Sequence, residues 1–151
     1  MQKNKGFTLI ELLIVISIIG LLSSVVLVGL GSFRSRGRDA RRVTDIRAVQ
    51  NMLELYFTSQ NTYPTGVSGW TGAGSLTEAL TGASIGVSSV PNDPLIPGAG
   101  VDYQYGVAAN GLNYTLGATL EDGANPVLNN DVDANPSNGL NCTDPLYCVE
   151  F

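Results

Sequence analysis

Four residue groups in this chain have types and spacings that could do chemistry. Glu11 is the only charge in an apolar run from Phe7 to about Leu30. A carboxylate there costs about 2.5–3.5 kcal/mol at mid-bilayer and less near an interface, so it calls for a cationic partner. Asp131, Asp133, Asn135 and Ser137 alternate as D-x-D-x-N-x-S, a run of hard oxygens that suits a loop wrapped around Ca²⁺. The EF-hand pattern fails, because Pro136 stands at position six and no Glu at position twelve, so a solvated polar loop is the competing reading. Cys142 and Cys148 are the only cysteines. Their spacing fits no redox or zinc motif. Finally, six arginines, Arg34, Arg36, Arg38, Arg41, Arg42 and Arg47, follow the apolar run.

Catalysis is poorly served by this inventory. There is no His, which removes the usual general base and metal ligand. No nucleophile elbow, P-loop or dinucleotide fingerprint is present. Asp93 in P-N-D-P and Asp144 in T-D-P read as turn formers. The chain is expected to be no enzyme and to require no cofactor, with Ca²⁺ as the one candidate ion.

The elements that must position these groups begin with a helix. All seven prolines come after residue 63, so nothing from Phe7 to Thr62 forbids one continuous helix of about 50 residues. Its first part is apolar all round and, at about 24 residues, long enough for a hydrocarbon core of roughly 30 Å. That exceeds a cleavable secretory signal core of ~7–15 residues, and no A-x-A site follows. Gly29 and Gly31 are its weakest points. Further on, Ala40, Val43, Ile46, Val49, Leu53 and Phe57 recur at three- and four-residue steps, an amphipathic stripe. Pro64 supplies a stop.

The rest is rich in turn residues. Ser75-Leu-Thr-Glu78 reads as a capping box opening a short helix over 75–81, with Gly82 as its stop. Val101, Tyr103, Tyr105 and Val107 alternate, as do Leu112, Tyr114, Leu116, Ala118 and Leu120. Asn110-Gly111 between them predicts a type I′ hairpin. That turn pairs 107 with 114, 105 with 116, 103 with 118 and 101 with 120, all on one apolar face. The Val43–Phe57 stripe is the natural cover for that face, since an isolated hairpin is marginal. Trp70 reads as a packing residue.

Charge is divided along the chain. All eight bases lie before residue 48. Of 13 acids, Glu11, Asp39 and Asp45 precede Ala48, which leaves ten acids and no base in the remaining 104 residues. Such a head opposes nucleic-acid phosphates electrostatically. The arginines read either as a solvated, headgroup-contacting helix face or as partners for acids of neighbouring subunits.

The segment G-F-T-L-I-E-L-L-I-V-I after Lys5 resembles the signal and N-terminal helix of bacterial type IV pilins and of the pseudopilins of type II secretion. Many such chains carry a proline inside the apolar half; this one does not. The resemblance implies cleavage between Gly6 and Phe7 by a prepilin peptidase, N-methylation of Phe7, and an assembly role for Glu11. It also implies a leader at 1–6, a membrane or filament-core helix at 7–31, its amphipathic continuation at 32–59 and a globular head at 60–151. The implied fold is α+β and pilin-like: a long helix on a small antiparallel sheet, with a short extra helix and a C-terminal loop. Counting Lys and Arg alone would place Arg34–Arg42 in the cytoplasm; the resemblance places Lys3 and Lys5 there and exports the head. Y-P-T-G, V-P-N-D-P and Y-Q-Y loosely resemble the major pseudopilin, and some major pseudopilins hold calcium near the C-terminus. In an exported domain an even cysteine pair points to a disulfide, Cys142–Cys148, with unpaired thiols as the alternative.

The implied function is a subunit of a pilus-like filament. It would be held in the inner membrane, polymerised through its N-terminal helices as a homopolymer, and served by an assembly platform and an ATPase. A type II secretion pseudopilin is the close alternative, and a monomeric membrane-anchored binding domain the third.

Overall fold

A computed structural model describes residues 6–95, 102–133 and 136–151, with residues 25–30 described in backbone alone. Two compact units result, one ending at Ser35 and the other spanning Arg36–Phe151.

The first unit holds the start of helix α1 (Leu9–Gln60). Phe7, Leu9, Ile10, Leu13, Ile14 and Ile18 are all exposed, so the helix presents apolar side chains on every side. Such a surface requires lipid or other protein around it. Among the described residues no helix is long and apolar enough to cross a membrane. Within α1 the part of the apolar run whose side chains are described extends from Leu9 to Ser24, about 24 Å of helix against a core of roughly 30 Å.

The second unit carries the remainder of α1, helix α2 (Leu76–Gly82), strands β1 (Gln104–Val107) and β2 (Tyr114–Thr119), a 3-10 turn (Pro126–Asn130) and strand β3 (Leu146–Glu150). The sheet is antiparallel in the order β1-β2-β3. The fold is therefore α+β with the pilin-like plan, a long N-terminal helix whose Arg36–Gln60 part packs on a three-stranded sheet. Ile46, Val49 and Leu53 from α1 are fully buried in one core with Tyr103, Tyr114, Leu116 and Ala118. Trp70 joins them edge-on to Tyr103 at 5.3 Å, its indole N–H donating to the Pro91 carbonyl. Asn61, at φ 56°, ends α1 in the left-handed conformation, three residues ahead of Pro64.

Tyr105 faces Leu116 and Val107 faces Tyr114, the register expected from alternation. The 101–120 pair lies outside the described residues. The turn differs from expectation. Only Gly111 has positive φ, whereas a type I′ turn needs it at Asn110 as well. The Gly111 N–H donates to the Ala108 carbonyl and the Ala108 N–H to the Asn113 carbonyl, so the loop is four residues, 109–112. Adding one residue to each side of the turn preserves the register. It also lifts Leu112 out of the ladder, and Leu112 is exposed. Ala40 is exposed too; Asp39 and Arg42 take its place in the buried stripe. Ser75 caps helix α2, its hydroxyl accepting from the Glu78 N–H. Gly82 ends that helix without a left-handed φ, which falls on Ser84.

The C-terminal segment contributes more than a loop. Leu146–Glu150 pairs along β2, and a second small cluster of Leu140, Cys142, Leu146 and Cys148 forms with it. The 138–140 segment lies so close over β1 that a Cβ at Gly106 would collide with the Leu140 side chain and the Asn138 carbonyl. Gly106→Ala is expected to destabilise the head by about 1–3 kcal/mol, as overpacking does. Chemical denaturation would read this, and an unchanged midpoint would exclude the contact.

Candidate functional site

The first candidate site is the start of α1. Gly6 and Phe7 precede the helix and are exposed, which leaves the bond between them accessible. Thr8 caps the helix. Its N–H and hydroxyl both donate to Glu11 Oε2, at 2.8 and 2.7 Å, while the Glu11 N–H donates to the Thr8 hydroxyl at 3.3 Å. This reciprocal capping box holds Glu11 in the first turn, where the helix dipole favours an anion. Both Thr8 bonds use Oε2. Among the described residues Oε1 has no hydrogen bond, so it is available to an incoming cation. T-L-I-E has the same form as S-L-T-E at the start of α2, and that pattern was the signal by which Thr8 could have been found.

The second candidate site gathers acids near the C-terminus. Asp131, Asp133 and Asp144 each bring a carboxylate oxygen within 4.8 Å of the other two. Asp131 Oδ2 accepts from the Cys148 N–H at 2.8 Å, whereas Asp131 Oδ1 is buried and, among the described residues, has no hydrogen-bond partner. Burial, with Asp133 and Asp144 nearby, holds the Asp131 carboxyl above its ordinary range. An orphaned buried oxygen beside two further carboxylates fits a hard divalent cation such as Ca²⁺, whose coordination backbone carbonyls and water would complete. Asn135 lies outside the described residues. Asp144, read as a turn former, sits inside the loop closed by the Cys142–Cys148 disulfide. Its place between two cysteines was the available clue.

The arginine region is organised within the chain itself. Arg42 is buried, its Nε and Nη2 on Asp93 at 2.6 and 3.1 Å and its Nη1 on Asp39 at 2.6 Å and Glu121 at 2.8 Å. Asp39 also accepts the backbone N–H groups of Glu121 and Asp122, both at 3.0 Å. Arg38 forks onto Glu121 at 2.5 and 2.6 Å. Arg36 pairs with Asp122 and Arg41 with Asp45. Asp93 does form a turn, accepting the Leu95 N–H, and is in addition a buried ion partner. Burial raises the Asp93 carboxyl, yet Arg42 and the Leu95 N–H together hold it below the ordinary range. The Arg38 hydrogen bond, with help from Arg42, holds Glu121 at about 2 against an ordinary 4.5.

A depressed carboxylate stabilises the fold above its unfolded pKa, and that contribution is lost as pH falls through the folded value. Glu121 should therefore make the head less stable between about pH 4.5 and 2. Melting temperatures of wild type and Glu121→Gln should converge across that window, and a parallel decline would remove Glu121 from the acid response.

A family model for the prokaryotic N-terminal methylation motif matches residues 1–27. The chain therefore begins with an N-terminal methylation motif. It is 38% identical over 65 residues to type II secretion system core protein G of Vibrio cholerae, covering 43% of this chain and 44% of that protein. With the core protein G of Dickeya chrysanthemi it shares 30% over 93 residues, 62% of this chain and 54% of the other. With the type IV major pilin protein PilA of Myxococcus xanthus it shares 33% over 61 residues, 40% and 28%. The chain spans about half the length of the curated relatives it matches. No solved structure matches it. The methylation motif thus falls on the unit ending at Ser35, while the charge cluster and the acid site belong to the other.

Proposed function

We propose that this chain is a structural, non-catalytic subunit of a type IV pilus-like filament. In this reading it is a single-pass inner-membrane protein with an exported head. A prepilin peptidase cuts it between Gly6 and Phe7, Phe7 is N-methylated, and the subunits polymerise through their N-terminal helices on a membrane platform driven by a separate ATPase. The observation that carries the reading is the methylation motif over residues 1–27, joined to a helix that is apolar on every side. Mass spectrometry of the mature N-terminus tests it: an N-methylated Phe7 is expected, and a chain beginning at Met1 would overturn the proposal.

A second reading, the major pseudopilin of a type II secretion apparatus, is supported by the similarity to core protein G of several bacteria. Surface filaments built mainly of this chain would favour the pilus. Loss of exoprotein secretion on deletion, without visible pili, would favour the pseudopilus.

In either filament the head would hold Ca²⁺ through Asp131, Asp133 and Asp144, with Asn135 as a further oxygen donor. The orphaned Asp131 Oδ1 supports this. The ion would neutralise three converging carboxylates and tie the end of the 3-10 turn to the C-terminal loop.

A further inference from the structure

We infer that the Cys142–Cys148 disulfide and the cation site at Asp131, Asp133 and Asp144 are thermodynamically coupled, each strengthening the other. The inference rests on the reading of these acids as a cation site. It starts from connectivity. Asp144 lies within the six-residue separation closed by the disulfide. The far end of that loop is clamped to the rest of the site: the Cys148 N–H donates to Asp131 Oδ2 at 2.8 Å, and the Cys148 carbonyl accepts from the Val132 N–H at 3.2 Å. One cysteine is thus fastened to the strand of chain that carries Asp131 and Asp133, and the bond to its partner confines Asp144 beside them.

Three carboxylates held within 4.8 Å repel one another when no cation lies between them. The covalent loop keeps Asp144 in place against that repulsion. Without the disulfide Asp144 could swing away, and a cation would have to recover the ordering entropy when it binds. Other bonds limit the freedom gained, because the Pro145 carbonyl still accepts from the Leu120 N–H and the Leu146 N–H still donates to Thr143. The expected coupling is therefore about tenfold, near the middle of the usual range for linked sites, rather than all-or-none. Linkage is reciprocal, so a bound cation must make the disulfide harder to reduce by the same factor.

Reduction by dithiothreitol transfers two electrons and two protons to the disulfide, leaving two thiols on the chain and the cyclic oxidised reagent. Both cysteines are fully buried, so the equilibrium and not the rate is the quantity to read. Calorimetric titration of the full chain in detergent micelles with Ca²⁺ should give a Kd about tenfold weaker in the Cys142→Ala/Cys148→Ala chain than in the oxidised wild type. The wild type alone supplies a second measurement that does not depend on the variant folding. Equilibrated against dithiothreitol, its disulfide should require about tenfold more reducing conditions in saturating Ca²⁺ than in chelator, a shift of about 30 mV for this two-electron couple. No Ca²⁺ binding by the oxidised chain would overturn the cation site and the coupling with it. Binding that is indifferent to the disulfide, with an unmoved reduction equilibrium, would overturn the coupling and leave the site standing.

Discussion

Arg42→Met is expected to destabilise the head by about 3–5 kcal/mol, the range for breaking a buried ion pair from one side. Among the described residues the guanidinium is the only cation bonded to Asp39 or Asp93, both of which are buried. Removing it leaves Asp93, among the described residues, with one backbone N–H from Leu95. Asp39 would keep the N–H groups of Glu121 and Asp122, so most of the loss falls on Asp93. Methionine fills similar space, which separates lost charge from a cavity. Arg42→Lys should fall between, since one ammonium cannot reproduce a fork that serves three carboxylates. Adding Asp93→Asn to Arg42→Met should recover part of the loss by removing the stranded charge. Denaturant unfolding followed through Trp70, the only tryptophan, reads all four chains. A loss below about 1 kcal/mol for Arg42→Met would mean that the cluster behaves as an exposed one.

The cluster also marks where sequence reasoning stopped. Asp39, Arg42, Ile46, Val49 and Leu53 follow three- and four-residue steps and are all buried, but hydrophobic periodicity counts only the last three. Ala40 took the place of Asp39 in that reading because it is apolar, whereas the structure buries Asp39 and exposes Ala40. Opposite charges at i and i+3, in phase with an apolar stripe, were the readable sign. Their partners Asp93 and Glu121 lie 51 and 79 residues away, a distance over which no local pattern carries information. The hairpin shows the reverse case. Alternation along both strands fixed which residues face each other, because a one-residue slip would expose the whole apolar face. The turn geometry was not fixed by that constraint, and four loop residues satisfy it as well as two. Strand β3 escaped notice because Cys148 sits within it, and the cysteine pair read as a stapled tail rather than as part of an alternating strand. Thr8 was hidden for another reason: its capping pattern begins inside an apolar run whose length alone drew the membrane reading.

Glu11→Ala is expected to leave insertion and cleavage intact and to abolish filaments. On the proposed processing, the new terminus at Phe7 is a cation that becomes buried when helices pack together. A buried charge stripped of its partner costs about 3–5 kcal/mol, enough to weaken each subunit contact by roughly 10²–10⁴-fold. The capping box offers a competing account of the same residue, since Glu11 also anchors the first turn through Thr8. Glu11→Gln separates the two. It keeps an oxygen for the Thr8 N–H and hydroxyl but carries no charge. If capping were the whole role, loss of Glu11 would be worth about 1 kcal/mol, as for other caps, and Gln would assemble normally. If the charge is what matters, Gln should fail as Ala does, while Thr8→Val, which loses the cap hydroxyl and keeps the carboxylate, should still assemble. Both outcomes are compatible with the capping geometry, in which Thr8 occupies Oε2 and Oε1 has no hydrogen bond among the described residues. Electron microscopy of shed filaments, with mass spectrometry to verify cleavage of each variant, measures all three, and normal filaments from Glu11→Gln would refute the charge pairing.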